Sequence, residues 1–145
     1  MKIFIAGDDY FQPEIVKKGL EKKLAGCREE VIYDGIRLPY PIDHLTLTDE
    51  YRVPTGMAWD QNMDGDYGTQ GVREYYGRND TLQGLLTDTD ILIIHGAALP
   101  KSVLDGAPDL KMICCMRGGP VNLDIEEIRR RGIVCVNSPG KMRKR

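Results

Sequence analysis

Three short segments of this chain set small or charged residues directly after apolar runs, where backbone amides and side chains can meet a ligand. They are Gly7-Asp8-Asp9, His95-Gly96-Ala97-Ala98 and Arg117-Gly118-Gly119-Pro120. Gly96 and Ala97 are small, so a ligand could approach their main-chain N–H groups closely, where a bulky side chain would keep it away. Arg117 has two readings. Its guanidinium can pair with a carboxylate or phosphate, or it can tie the loop to backbone carbonyls. His95 either orients a substrate or finishes its strand with a satisfied side chain. A single histidine without a partner nearby in sequence is a weak acid–base signal, which favours the structural role.

Other chemistry is less well supported. Asp60-Gln61-Asn62-Met63-Asp64-Gly65-Asp66 matches the first half of an EF-hand calcium loop, but its twelfth position is Gly71 rather than a bidentate glutamate. Pro54 and Gly56 also stand where the entering helix belongs, so a polar loop with Asx turns is the better reading. Asp8 and Asp9 are similar to the magnesium-binding acidic pair of response-regulator receivers. A receiver also needs an aspartate where this chain has His95-Gly96 and a lysine where it has Asn137, and the reading fails on both. Cys27, Cys114, Cys115 and Cys135 form no C-x-x-C pair, and neighbours in a strand point to opposite faces, so no metal site is expected. His44 has no partner in sequence. No G-x-G-x-x-G, Walker loop or H-E-x-x-H occurs.

The elements that must position these residues follow from periodicity. Strands are predicted at Lys2 to Ala6, Glu30 to Tyr33, Ile91 to Ile94, Met112 to Met116 and Ile133 to Val136. Helices are predicted from Pro13 to Leu24, Lys101 to Ala107 and Ile125 to Arg131. The first should bury Ile15, Val16, Leu20 and Leu24 on one face. The last has Asp124 as cap, Glu127 three residues on and Gly132 as its stop. Weak periodicity from Val72 to Leu86 reads as helical, and residues 35–71 read as an irregular insertion. Short apolar runs alternating with helices predict an α/β fold: a flavodoxin-like, five-stranded parallel sheet of order 2-1-3-4-5, flanked by helices. In such sheets ligands bind beyond the carboxyl ends of the strands, at the switch between strands one and three. That rule selects Gly7-Asp8-Asp9 and His95-Gly96-Ala97.

From Asp90 to Gly140, about one third of the chain, the sequence resembles the substrate-domain half of D-isomer-specific 2-hydroxyacid dehydrogenases of the phosphoglycerate dehydrogenase-like kind. The motifs Arg117-Gly118-Gly119-Pro120-Val121-Asn122 and Val136-Asn137-Ser138-Pro139-Gly140 carry the likeness. The resemblance implies a flavodoxin-like substrate domain that works with an NAD-binding Rossmann domain in hydride transfer at the carbon bearing the 2-hydroxyl. It also implies that backbone amides at Gly96 and Ala97 hold the carboxylate of a 2-hydroxy or 2-oxo acid; Arg117 and His95, by their own positions after the strands, complete the candidate substrate-binding set. Members of that family are usually dimers. Its catalytic residues and glycine-rich NAD loop lie beyond the last motif, so no catalytic or cofactor-binding residue carries over. The expectation is a substrate-binding domain at 1–140 and a basic tail at 141–145, with the Rossmann domain absent and no activity alone. Such a domain should also leave an apolar patch uncovered. A stand-alone flavodoxin-like ligand-binding or interaction module without catalysis is the alternative.

Bulk properties fit one soluble domain. The chain has 145 residues, 41% of them hydrophobic and 29% charged. Its formal net charge is −2, and since the tail supplies four positive charges the residues before Lys141 carry −6. That balance offers no general attraction to nucleic acid. No apolar run approaches the roughly 20 residues of a membrane span, and Met1 to Ala6 is too short for a signal peptide, so a cytoplasmic location is the expectation.

Overall fold

The computed structural model describes residues 1–38, 71–72, 75 and 78–139. In chain order the elements are β1 (Lys2–Gly7), α1 (Pro13–Lys23), β2 (Ile32–Arg37), β3 (Ile91–Ile94), α2 (Lys101–Asp105), β4 (Met112–Cys115), α3 (Ile125–Arg130) and β5 (Val134–Val136). All pairings are parallel and the order is β2-β1-β3-β4-β5, as the alternation of apolar runs and helices predicts. No helix among the described residues is long and apolar enough to cross a membrane.

Alternation along the strands sorts side chains onto two faces. Phe4, Ala6, Leu92, Ile94, Ile113 and Cys115 enter the larger core, where they meet Val103 and Leu104 of α2 and Ile128 of α3. Ile3, Ile5 and Ile93 face the other way, against Val16 and Leu20 of α1 and Leu24 just past its end. Cys115 therefore lies in one core and Cys114 beside the other, and burial pushes both thiols above the ordinary cysteine range. Ile15 departs from expectation: it is exposed, because Val16, Leu20 and Leu24 repeat every fourth residue and Ile15 sits one step off that line. Among the described residues the second face has little cover toward β5. Val134 and Val136 are 57% and 43% exposed, and Met112, Cys114 and Met116 are half-buried, which is the apolar patch expected of such a domain.

Two sequence expectations need correction. β2 is not Glu30 to Tyr33 but Ile32–Arg37, running through Asp34 and Gly35, so the irregular stretch begins later than residue 35. The Asp-Gly pair reads as a turn, yet it pairs with β1 along its whole length, from Lys2↔Ile32 to Gly7↔Arg37. The buried Asp34 is tolerated because its carboxylate lies 3.7 Å from Lys2 Nζ and accepts from the Gly35 amide at 2.8 Å. The helix predicted from Val72 to Leu86 is, in its described residues, a series of tight turns. Gln83 N donates to Asp80 O and Leu85 N to Leu82 O, Gly84 has φ +78, and Thr81 Oγ1 binds the Arg78 carbonyl at 2.9 Å. Such local bonds compete with helix formation. Of residues 35–71, those at 39–70 lie outside the described residues.

α3 begins and ends as its sequence dictates. The Asp124 side chain accepts from Glu127 N at 3.1 Å, and Gly132 takes φ +71 just past the helix. The Glu127 carboxylate does not complete a capping box; it binds Arg130 and Arg131 instead, and Arg131 reaches Asp105 of α2. Hydrogen bonds from Arg130, then from Arg131, hold the Glu127 carboxyl at about 2, below its ordinary 4.5. A carboxylate depressed on folding stabilises fully above its unfolded value and loses that contribution as pH falls through the folded one. Glu127→Gln should therefore lower the urea midpoint at neutral pH, and the gap from the parent should close between pH 4.5 and about 2. Urea unfolding across that range checks this; a gap independent of pH would refute it.

Candidate functional site

The carboxyl ends of β1, β3 and β4 carry the three loops that the sequence picks out, and buried polar side chains knit them together. The β1–β3 register ends at Ala6↔Ile94, and His95 N extends it by donating to Ala6 O at 3.2 Å. This brings the next residues of each loop, Asp8 and His95, side by side although they lie 87 positions apart. Asp8 is fully buried. Its Oδ1 accepts from Tyr10 N at 2.8 Å and Phe11 N at 3.0 Å, while its Oδ2 meets His95 Nδ1. Facing a carboxylate, Nδ1 must carry the hydrogen, so the ring is fixed in tautomer and orientation. Phe11 packs on the imidazole at 4.5 Å between ring centroids. The His95 side chain is 15% exposed, so its ring still reaches the surface.

Gly7 makes this turn possible. A Cβ there would lie 2.2 Å from the Phe11 carbonyl oxygen and 2.8 Å from Pro13 Cγ. Asp9, next in sequence, points away from Asp8 and pairs with Arg37 at 2.7 Å.

The His95–Ala98 loop is held from its other side by Asn122, a fully buried residue of the Arg117–Asn122 motif. Its Nδ2 donates to His95 O at 2.9 Å and to Ala97 O at 2.7 Å. Leu99 N then donates to Asn122 O, and Asp124 N to Leu99 O. Gly96, Ala97 and Ala98 are buried, and among the described residues nothing accepts from their N–H groups. The second motif secures the Arg117 loop in the same way. Ser138 N donates to Arg117 O at 3.0 Å, and Asn137 Nδ2 to Gly118 O at 2.8 Å. Gly118 and Gly119 remain exposed, and the half-buried Arg117 closes the end of β4.

The four residues singled out from the sequence thus lie on two loops at the carboxyl end of the sheet: His95, Gly96 and Ala97 after β3, and Arg117 after β4. His95 has a partner in Asp8 that local sequence does not reveal, and Asn122 is visible there only as part of a motif. The calcium-like segment and His44 lie outside the described residues. Among the described residues no three His, Cys, Asp or Glu side chains gather to hold a metal ion. Beside the loops lies an open depression of about 550 Å³ bordered by Gly71, Pro120, Val121, Leu123, Asp124, Ile125 and Glu126. Its two carboxylates make it a poor place for an anionic ligand.

The family match to known proteins spans the β3 and β4 loops. Residues 66–143 match the family described as D-isomer specific 2-hydroxyacid dehydrogenase, catalytic domain. A 59-residue stretch is 34% identical to erythronate-4-phosphate dehydrogenase of Shewanella loihica (strain ATCC BAA-1088 / PV-4). That stretch covers 40% of this chain and 16% of the relative, so the chain corresponds to a small part of that protein's length.

Proposed function

The chain belongs to the D-isomer specific 2-hydroxyacid dehydrogenase family, and on that footing we propose that it forms the part of an NAD-dependent oxidoreductase that holds the 2-hydroxy or 2-oxo acid. One observation carries the reading: buried main-chain N–H groups at Gly96, Ala97 and Ala98 without an acceptor among the described residues, at the switch between β1 and β3. Buried N–H groups almost always have a partner, so a pair of them at a ligand-binding crevice calls for an acceptor such as a carboxylate. Arg117, across the β3–β4 step, supplies the positive charge that completes carboxylate recognition. His95, anchored by Asp8, offers a ring of fixed orientation at the rim of the crevice, where it can meet the 2-hydroxyl or the far end of the acid.

NAD, which comes to this reading from the family, would supply the hydride acceptor. The described residues do not fit it. In a dinucleotide fold the pyrophosphate rests on the turn from the first strand to the first helix. Here that turn holds the buried Asp8 carboxylate, with Asp9 next to it. The buried Asp8 carboxylate at that position disfavours a diphosphate, and no glycine-rich turn replaces it. The chemistry assigned to this chain is therefore binding and orientation of the acid, and the hydride step is left to a cofactor-binding unit outside residues 1–139.

The test is calorimetric titration of the 145-residue chain with D-glycerate, D-lactate and 3-phosphoglycerate. At least one acid should bind saturably without NAD. Arg117→Ala should weaken that acid by roughly 10- to 100-fold, the worth of a charge-assisted hydrogen bond. NADH absorbance should stay at background with every acid in the panel. Failure of all three acids to bind, or turnover of NAD by this chain, would refute the proposal.

A further inference from the structure

Asn122 does more than join two loops. A trans peptide sets its C=O and N–H on opposite sides of the chain. Because the His95 carbonyl points at Asn122 Nδ2, the N–H of Gly96, in the same peptide plane, points away from it. The Ala97 carbonyl also points at Nδ2, so the N–H of Ala98 points away as well. The Ala97 N–H belongs to the peptide between them, whose carbonyl Asn122 does not hold. We infer that Asn122 is a positioning residue for the acid-binding loop, and that it sets the amides of Gly96 and Ala98, not of Gly96 and Ala97, as the pair that grips the carboxylate. This inference rests on the proposed function and names the machinery behind it.

Chemistry fixes the amide orientation of Asn122. Both acceptors are carbonyl oxygens, which only the NH₂ group can serve, and each of its two hydrogens takes one of them. Among the described residues its buried Oδ1 has no hydrogen-bond partner. The loop is buried around these groups, so dipoles set this way act on a bound carboxylate with little screening from water.

The experiment is a ¹⁵N–¹H titration of the 145-residue chain with whichever of D-glycerate, D-lactate or 3-phosphoglycerate binds, followed at residues 95–98. Gly96 and Ala98 amide protons should move downfield and saturate together, with a smaller change at Ala97. Asn122→Ala should weaken binding by at least tenfold and abolish that paired shift. If this variant fails to fold, the parent alone decides, since the 96/98 pattern needs no substitution. Saturable binding with its largest shift at Ala97, or equal affinity in a folded Asn122→Ala, overturns the role of Asn122 and leaves the acid-binding reading standing. No saturable change at residues 95–98 with any of the acids removes the acid-binding reading, and the inference falls with it.

Discussion

Asp8→Ala should cost this domain about 3–5 kcal/mol, a large share of the roughly 5–15 kcal/mol that holds a typical domain folded. The side chain is fully buried and makes three contacts, to the amides of Tyr10 and Phe11 and to His95 Nδ1. Alanine leaves both amides and the ring nitrogen without an acceptor in a place where water has little access. The neighbouring acid is the control. Asp9 pairs with Arg37 near the surface, so Asp9→Ala should cost no more than about 1 kcal/mol. Urea denaturation of both variants makes the comparison. A loss below about 1 kcal/mol for Asp8→Ala would mean that the Asp8–His95 pair does not anchor the two loops.

Gly7→Ala should be nearly as damaging, at about 3 kcal/mol, for a steric reason. The added methyl would sit 2.2 Å from the Phe11 carbonyl oxygen, the same oxygen that accepts from Asp8 N. Main chain cannot yield as a flexible side chain can, so the turn must open, and Asp8 is withdrawn from His95. Gly19 gives the opposite expectation. It lies in α1, where an added methyl would have nothing within 4 Å, and alanine there should stabilise by about 0.5–1 kcal/mol. Thermal melts of the two glycine variants should move in opposite directions. A Gly7→Ala protein as stable as the parent would contradict the turn geometry.

Much of the scaffold is legible from residue order. Ile91–Ile94 and Met112–Cys115 are apolar runs bounded by polar turns, and a run buried on both faces has few alternatives to a parallel strand. β2 is harder to read because Asp34 and Gly35 are turn residues by local preference. Their place in the strand depends on Lys2, a residue of the neighbouring strand. From Arg78 onward, hydrogen bonds between the Thr81 hydroxyl and the Arg78 backbone, one accepted and one donated, replace the helix that weak periodicity suggests. The site divides in the same way. Gly96, Ala97 and Arg117 follow from the topology rule and the motifs, since loop position is encoded locally. The Asp8–His95 pairing and the grip of Asn122 on two carbonyls depend on which strands become neighbours. No spacing in the sequence announces them.

The most direct test of the central claim is a crystal structure of the 145-residue chain with D-glycerate, or the tightest-binding acid of the panel, at saturating concentration. The carboxylate should lie about 3 Å from main-chain N–H groups of the Gly96–Ala98 loop, between His95 on one side and Arg117 on the other. An acid found only in the depression bordered by Pro120 and Glu126, or no ordered acid anywhere, would contradict the account.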